Sequence, residues 1–498
     1  MTITTGKHFV VFPMQMWGHT RTMCTLVARM AKLRNATITF FIISGFYDRV
    51  MAEISREFLP GEEYLSARIR VVALQHNKSV AVTKDVEAAF EAAYVKMCNG
   101  EPLTCAKTGK EIPAHPVRVS VAIIDMFVPD AFEAVRKHTP DTVKVFVWVP
   151  VATHSFFFYW AEDHVDSVEA SAAQRGISFE EAAREIVQPS GKVMRSPLTG
   201  AIYDYELQPQ AFPLWFSGTL LKIARVMQTA HGMLTFDAAE YDPKTAKALK
   251  AWFGKNSRKA YYAGPLVPQG REDTSSDPRA DNIQKFLDEK LAFYGKHSVV
   301  YVSFGSLFWP TDTNKLWAVL EVLIERNIPF VMSCAAEFAS GIPETIQDKI
   351  AQFGHAIVAE WVPQQALLDH PATGWYLSHG GHNSTIESIM AGVPAIVWPI
   401  SADQPVNAIY LSEDLDVAYE LIEVRNGTGL GKILRSGRVP VGTIVAVKTE
   451  MNHVLNSAFG EDGARKRAKL QSLRKILQAS WNEEGVARRE VEEFLDDL

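Results

Sequence analysis

The residue types best suited to chemistry occur together in Trp361–Gln404, which reads WVPQQALLDHPATGWYLSHGGHNSTIESIMAGVPAIVWPISADQ. Within it, the turn His379–Asn383 separates a short apolar run of strand character from the helical pattern Ser384–Ala391. Two glycines let this turn bend tightly and approach a ligand, and the first N–H groups of a helix attract phosphate. The predicted phosphate-binding residues are therefore His379, Gly381, Asn383 and Ser384.

Further polar groups follow the same turn. Glu387 lies one helical turn into the predicted helix, where its carboxylate could accept both hydroxyls of a ribose. The next apolar run, Ala395–Trp398, has strand character, and Asp403 and Gln404 follow in its trailing loop. Because open α/β sheets bind ligands outside the carboxyl ends of their strands, all these groups are expected on one rim. The set suits the successive parts of a nucleotide sugar.

A second pair of chemically suited residues lies in the first half of the chain. His19 follows the first predicted strand and precedes the amphipathic helix Thr20–Leu33, and Asp125 ends the apolar strand Val121–Asp125. A histidine can remove a proton near neutral pH, and a carboxylate can orient its ring. Asp130 is the alternative orienting carboxylate, although it also suits the first residues of a helix.

The segment Trp361–Gln404 resembles the signature box of the UDP-glycosyltransferases, the family-1 sugar transferases, in the soluble microbial or fungal-like branch. The resemblance implies the GT-B fold, an α/β architecture of two facing Rossmann-like domains with parallel sheets and a cleft between them. By the same resemblance, the donor site consists of Trp361 on uracil, Val362 beside it, Gln364 and Glu387 on the ribose, Ser306, His379, Gly381, Asn383 and Ser384 at the diphosphate, and Asp403 and Gln404 on the sugar hydroxyls.

The resemblance also implies a reaction. A Gly-His after the first strand and an aspartate ending a later strand are similar to the family's catalytic dyad, here His19 and Asp125. Plant members usually have cysteine at the position of Gly380 and tryptophan at that of His382, so this chain departs from their pattern. Gln404 matches the glucose-preferring pattern, and Asp403 would repel a glucuronate. We expect an inverting transferase that moves glucose from UDP-glucose to an acceptor hydroxyl.

Length and composition agree with an enzyme of two domains. The chain has 498 residues, 47% hydrophobic and 22% charged, with a formal net charge of −6 that argues against nucleic-acid binding. Four cysteines are too few for a disulfide framework, and none has partners at metal-ligand spacing. Asp414-Leu-Asp416 imitates a metal motif of another transferase fold and is interpreted as a surface turn. We therefore expect neither a metal nor another cofactor.

The expected setting is the cytoplasm, and the expected state is a monomer. The N-terminal apolar run is broken by Pro13 and reads as a strand rather than a signal peptide, and no apolar stretch reaches the ~18 residues that span a bilayer. The expected partners are a UDP-sugar and a small hydrophobic acceptor such as a phenol, flavonoid, sterol or lipid. Two aromatic-rich segments, 153–160 and 212–216, fit either a core or an acceptor pocket.

Strand-like and helical segments alternate in both halves, the pattern of parallel sheets covered by helices. Pro, Gly, Ser and charged residues between Gly264 and Asn282 have the composition of a linker. The predicted division is an acceptor domain (1–268), a linker (269–283), a donor domain (284–475) and a C-terminal helix (476–498), which by resemblance packs back on the first domain. Predicted strands are His8–Phe12, Thr37–Ser44, Ile69–Ala73, Val119–Ile124, Val143–Val149, Val299–Phe304, Pro329–Ser333, Gly374–Ser378 and Ala395–Trp398.

Other functions fit parts of the same pattern. A UDP-sugar epimerase would share the architecture, and a non-catalytic UDP-sugar-binding protein would share the donor box. The His19 loop and the Asp403–Gln404 pair disfavour the first alternative, and the intact His19 and Asp125 disfavour the second. A nicotinamide dehydrogenase is disfavoured because no G-x-G-x-x-G follows the first strand of either half.

Overall fold

A computed structural model describes residues 6–76, 83–197, 200–212, 217–268, 278–336 and 339–498. The chain forms two compact units. Unit 1 comprises Met1–Val187, Trp215–Gly270 and Ala479–Leu498, and unit 2 comprises Gln188–Leu214 and Arg271–Gln478.

The strands alternate with helices along the chain. The strands are β1 (Lys7–Phe12), β2 (Ala36–Ile43), β3 (Ile69–Leu74), β4 (Leu103–Thr104), β5 (Glu111–Ile112), β6 (Val119–Asp125), β7 (Lys144–Val149), β8 (Val193–Met194), β9 (Ile202–Tyr203), β10 (Gly232–Thr235), β11 (Lys259–Tyr262), β12 (Val299–Ser303), β13 (Phe330–Ser333), β14 (Ala356–Ala359), β15 (Thr373–Ser378), β16 (Ala395–Val397) and β17 (Tyr419–Glu420).

The helices are α1 (Trp17–Leu33), α2 (Tyr47–Ser55), α3 (Thr83–Cys98), α4 (Pro129–His138), α5 (Phe156–Tyr159), α6 (Val165–Arg175), α7 (Phe179–Val187), α8 (Ser217–Thr229), α9 (Pro243–Gly254), α10 (Pro278–Tyr294), α11 (Thr313–Glu325), α12 (Glu344–Phe353), α13 (Gln364–Asp369), α14 (His382–Ala391), α15 (Gln404–Ile409), α16 (Ile444–Ala458), α17 (Glu461–Ala479) and α18 (Val486–Asp496). Short 3₁₀ turns occur between them, among them Asp204–Leu207.

Unit 1 is built on a seven-stranded parallel sheet in the order β11-β10-β7-β6-β1-β2-β3. Its central strands are almost wholly buried, as parallel strands covered on both faces are expected to be. Strands β1 and β6 are neighbours, with Phe12 opposite Ile124. The residues that follow these two strands therefore emerge at the same edge of the sheet.

Unit 2 is built on a six-stranded parallel sheet in the order β14-β13-β12-β15-β16-β17. Its two core clusters contain large side chains such as Trp375, Trp398 and Tyr376. The fold class is α/β with two Rossmann-like units, as the alternating pattern predicts. Each predicted strand lies within two residues of an observed one.

The units differ from the predicted division in one segment. Residues 188–214 group with unit 2, whereas the sequence placed them in the first domain. The reason is a set of polar contacts within unit 2, where the buried Glu206 accepts from Leu434 N at 3.0 Å and pairs with Arg435 at 2.9 Å. The predicted linker falls largely on residues 269–277, which lie outside the described residues.

The last helix belongs to unit 1. Phe494 of α18 is fully buried and packs its ring 5.0 Å from that of Phe146 and 5.3 Å from that of Tyr261. Glu490 accepts from Tyr262 N at 2.7 Å, next to the edge strand β11. Within the parts of the chain that the structure describes, no helix has the length and apolarity needed to cross a membrane.

Candidate active site

The carboxyl ends of three adjacent strands in unit 2 bring most of the predicted donor residues to one rim. Ser378 at the end of β15 is opposite Ser303 of β12 on one side and Val397 of β16 on the other. The loops that follow these strands contain Ser306, the turn His379–Gly381 and the pair Asp403–Gln404. Ser306 is exposed in its loop.

The turn between β15 and α14 has the conformation that the two glycines predict. Gly380 has a φ of +82°, a left-handed conformation, and a Cβ atom there would lie 2.6 Å from Val397 Cγ1. Gly381 is the N-cap of α14, so the first N–H groups of this helix, including those of Asn383 and Ser384, are oriented toward the rim. This end of the helix provides a place for a diphosphate.

His379 is held next to this helix start as a neutral ring. It is buried, and burial lowers the pKa of its imidazole to about 4. Phe308 stacks on it with ring centroids 6.0 Å apart, and Gly305, at a φ of +77°, leaves room for it, since a Cβ there would lie 2.9 Å from its Cε1 atom. A neutral imidazole can donate one hydrogen bond to a phosphate oxygen.

Gln364 and Glu387, the two residues expected at the ribose, contact each other directly. Gln364 Nε2 donates to Glu387 Oε2 at 2.9 Å. Gln364 Oε1 accepts from the hydroxyls of Tyr301 at 3.0 Å and Tyr376 at 3.2 Å. Burial raises the pKa of both phenols, so they remain donors. These contacts fix which end of the Gln364 amide faces the Glu387 carboxylate.

The residues expected at the nucleotide base begin the same segment. Trp361 is half-buried, and the guanidinium of Arg279 lies 5.5 Å from its ring centroid. Val362 is buried in the core beneath. The half-exposed indole is available for stacking on a planar ring.

The two residues expected at the sugar are each held by a neighbouring amide. Asp403 Oδ2 accepts from Asn407 Nδ2 at 2.8 Å, and the same nitrogen donates to Gly380 O at 2.7 Å. Gln404 Oε1 accepts from the backbone N–H groups of Ile400 and Ser401, at 2.9 and 3.1 Å. These hydrogen bonds therefore hold the loop in a defined shape.

The second constellation lies in unit 1, where His19 and Asp125 are hydrogen-bonded. His19 lies in the first turn of α1 and Asp125 ends β6, and Nδ1 and Oδ2 are 2.8 Å apart. Asp125 is fully buried and also accepts from Met14 N at 3.1 Å and Phe127 N at 2.9 Å, whereas the His19 side chain is 15% exposed. The carboxylate orients the ring through Nδ1–H, which leaves Nε2 as the acceptor.

The alternative carboxylates are engaged elsewhere. Asp130 lies in the first turn of α4, exposed, and pairs with Lys222 at 2.8 Å. Asp416 of the Asp-Leu-Asp motif lies half-buried before β17 and pairs with Arg465, Lys466 and Lys469 of α17. In the portion of the chain that the structure describes, no group of three or more His, Cys, Asp or Glu side chains could hold a metal ion.

The aromatic segment 153–160 serves mainly as core. Phe156 and Trp160 are buried in the unit 1 core, whereas Phe157 and Tyr159 are half-buried at its boundary. Phe127, which the sequence did not single out, contacts His19 edge-on with ring centroids 5.3 Å apart. Of the second segment, residues 213–216 lie outside the described residues.

The chain is similar in sequence to known proteins. Residues 211–419 match the family model for UDP-glucoronosyl and UDP-glucosyl transferases. The UDP-glycosyltransferase eriJ of Hericium erinaceus is 29% identical over 99% of this chain and 99% of its own length. The chain therefore contains a UDP-glycosyltransferase domain at residues 211–419 and is similar to a UDP-glycosyltransferase over nearly its whole length. It is accordingly an enzyme that uses a UDP-sugar as its donor.

Other relatives extend the comparison. The hydroquinone glucosyltransferase of Rauvolfia serpentina is 23% identical over 98% of this chain and 97% of its own length. The crystal structure of Medicago truncatula UGT71G1 complexed with UDP-glucose matches 99% of both chains with a TM-score of 0.70 at 18% identity. This structural match confirms the GT-B fold that the sequence resemblance predicts.

Proposed function

We propose that this UDP-glycosyltransferase moves glucose from UDP-glucose to the hydroxyl of a small hydrophobic acceptor, with inversion at the anomeric carbon and with His19 as the base. The observation that carries the proposal is the hydrogen bond between His19 Nδ1 and Asp125 Oδ2, 2.8 Å long at the carboxyl ends of β1 and β6. A buried carboxylate behind a partly exposed imidazole is the arrangement that a general base requires.

The proposed step is a single displacement. The acceptor oxygen attacks the anomeric carbon while His19 Nε2 takes the hydroxyl proton, and the bond from that carbon to the diphosphate oxygen breaks. The electron pair leaves with UDP, whose developing charge the start of α14 stabilises. Asp125 stabilises the imidazolium that forms, because the ring donates to it through Nδ1–H.

The surroundings of His19 support a hydrophobic acceptor. Half-buried apolar side chains follow β1 and β6 next to the histidine, and they are Met14, Met16, Trp17 and Phe127. Trp17 in turn contacts Phe46 edge-on, with ring centroids 5.9 Å apart. A phenolic acceptor fits this lining, and hydroquinone is the acceptor in the name of one relative.

Glucose is the proposed sugar because of the pair Asp403 and Gln404. A carboxylate accepts hydrogen bonds from sugar hydroxyls and repels the carboxylate of a glucuronate. Asp403 is largely buried, and Asn407 holds it next to Gln404 in the first turn of α15. UDP-glucuronate should therefore be a poor donor compared with UDP-glucose.

The base assignment is tested by two variants and one control. His19→Ala should lower the rate of transfer to a phenol by about 10²- to 10⁴-fold, while calorimetry should find the UDP affinity of the wild type. Asp125→Asn should lower the rate by a similar factor. Its amide NH₂ group would face the backbone N–H of Met14 or Phe127, both of which donate to the carboxylate of Asp125. The exposed His164→Ala is the matched control. Full activity in His19→Ala would refute the base.

The same assay separates the alternatives. An epimerase would convert UDP-glucose without an acceptor, and a non-catalytic binding protein would bind UDP-glucose but form no glycoside. Mass spectrometry of incubations with and without a panel of phenols and sterols distinguishes the three. Proton NMR of the product then identifies the anomer, and a retained configuration would contradict the single displacement.

The remaining features of the proposal concern the setting. We propose a metal-independent monomer of the cytoplasm, in line with four unpaired cysteines. Transfer should be insensitive to EDTA, and size-exclusion chromatography should give the mass of one 55.5 kDa chain. Cell fractionation tests the compartment.

A further inference from the structure

Residues 188–214 belong to unit 2, although the chain on either side of them belongs to unit 1. Their last described part, the Asp204–Phe212 segment, runs past two loops of the donor site. Phe212 packs on Phe308, with ring centroids 5.2 Å apart, and Phe308 is the residue that stacks on His379. The segment therefore borders the diphosphate end of the site.

The segment is held in place by backbone contacts at its end. Asn426 N donates to Pro209 O at 3.0 Å, and Ala211 N donates to Asn426 Oδ1 at 2.6 Å. Gly429 permits this approach, since a Cβ there would lie 2.3 Å from Pro209 O. Gln210 lies between these two anchored residues, and its side chain is buried.

The amide of Gln210 joins two donor-site loops. Its Oε1 accepts from Thr311 N at 3.0 Å and from Thr311 Oγ1 at 3.1 Å, in the loop that follows β12. Its Nε2 donates to Pro399 O at 3.0 Å, in the loop that follows β16. Because the Thr311 N–H can only donate, the amide oxygen must face Thr311, and the orientation of the amide is thereby fixed.

Gln210 and Gln404 bind opposite ends of one peptide group. The carbonyl of Pro399 accepts from Gln210 Nε2, and the N–H of the same peptide, that of Ile400, donates to Gln404 Oε1 at 2.9 Å. Hydrogen bonds in such a chain polarise and orient one another. With Oε1 turned toward Ile400 and Ser401, the Nε2 group of Gln404 is presented on the other side of the amide.

We propose that Gln210 is a positioning residue for the donor sugar, acting through the Pro399–Ile400 peptide on Gln404. The inference rests on the proposed function, in which Gln404 binds the sugar. It assigns a part of the donor site to a segment far from the donor box in sequence. Loss of Gln210 should weaken recognition of the sugar and spare recognition of UDP.

The test compares the affinities for UDP-glucose and for UDP in a set of variants. Gln210→Met fills similar space without either hydrogen bond and should weaken UDP-glucose binding by about tenfold relative to UDP. Gln210→Glu retains acceptors for Thr311 but places an oxygen against the Pro399 carbonyl. Its affinity for UDP-glucose relative to UDP should therefore fall at least as much as that of Gln210→Met. Gln347→Met, on the surface of α12 with its own bond to a backbone carbonyl, is the matched control.

A double-mutant cycle tests the route of the effect. If Gln210 acts through Gln404, Gln210→Met should change UDP-glucose affinity less than twofold in a Gln404→Ala background. Equal losses for UDP and UDP-glucose would indicate a structural role alone and overturn the proposal, as would wild-type behaviour of Gln210→Glu. If Gln404→Ala itself leaves UDP-glucose affinity unchanged, the proposed role of Gln404 fails instead.

Discussion

At the scale of single residues, Gly380 shows why the turn between β15 and α14 requires a glycine in this chain. Its φ of +82° is strained for any side chain, and a Cβ would lie 2.6 Å from Val397 Cγ1. Its carbonyl also accepts from Asn407, which in turn holds Asp403. A glycine at this position therefore avoids both the backbone strain and the contact with Val397 on the neighbouring strand.

Gly380→Ala should accordingly lower stability and UDP affinity together. The strain is about 1–3 kcal/mol, which we expect calorimetry to register as roughly tenfold weaker UDP binding. Gly380→Ala with Val397→Ala should recover part of the loss, since the steric contact is removed and the backbone strain stays. Gly341→Ala, where a Cβ meets no atom within 4 Å, is the control. Unchanged UDP affinity in Gly380→Ala would contradict the described turn.

At the scale of elements, α3 and α4 are joined by a buried carboxyl group, that of Glu87. Glu87 of α3 accepts from Ala131 N at 2.9 Å, in the first turn of α4. Helix α4 begins four residues after Asp125. Burial raises the pKa of Glu87 to about 7, with the hydrogen bond from Ala131 acting in the opposite direction.

This raised pKa predicts a pH dependence of stability with a definite sign. Between about pH 4.5 and 7 the folded chain holds a proton on Glu87 that the unfolded chain has released, so the contribution of Glu87 is lost as the pH rises. The melting temperature of the wild type should therefore fall relative to that of Glu87→Gln between pH 5 and 8. The difference is at most about 1.4 kcal/mol per pH unit.

Glu91→Gln on the same helix provides the control with the opposite sign. Hydrogen bonds from His138 and Lys137 lower the pKa of Glu91, which is exposed. Compared with the wild type, Glu91→Gln should therefore gain no stability as the pH rises. Scanning fluorimetry of the three proteins across the pH range measures both effects, and parallel curves for wild type and Glu87→Gln would contradict the assignment.

The elements also show how far local sequence determines the structure. Long apolar runs such as β2 and β6 were predicted because their burial on both faces gives them a clear pattern. The missed strands are short, and two to four residues carry little periodic signal and depend on their neighbours in the sheet. They are β4, β5, β8, β9, β10, β11, β14 and β17.

In the candidate active site, too, some features are marked by local sequence and others depend on residues distant in the chain. The turn His379–Asn383 was predictable from a local motif, and the pairing of His19 with Asp125 from two strand ends. Tyr301 and Asn407 hydrogen-bond to Gln364 and Asp403, two of the predicted donor residues, and no feature of their own sequence surroundings marks them. Gln210 lies far from the donor box in sequence, so only the folded chain identifies its contacts.

At the scale of the whole molecule, residues Ala479–Leu498 belong to unit 1, although the residues that precede them, Arg271–Gln478, belong to unit 2. Helix α18 contacts the rest of unit 1 through the buried Phe494 and through ion pairs. Two of these are Arg34 with Asp496 and Lys259 with Glu493, each at 2.8 Å. The polar pairs are exposed and contribute little individually. The buried ring of Phe494, next to Phe9, Phe146 and Tyr261, is the main apolar anchor.

Phe494→Ala should therefore destabilise unit 1 by about 3–5 kcal/mol, the usual cost of emptying a buried phenylalanine site. Limited proteolysis with mass spectrometry should find faster cleavage within residues 6–187. UDP affinity should stay at the wild-type value, because every proposed UDP contact belongs to unit 2. Phe293→Ala, at a side chain that is 79% exposed on α10, should alter neither measurement. Weaker UDP binding without faster cleavage would contradict this prediction, because Phe494 would then stabilise unit 2 rather than unit 1.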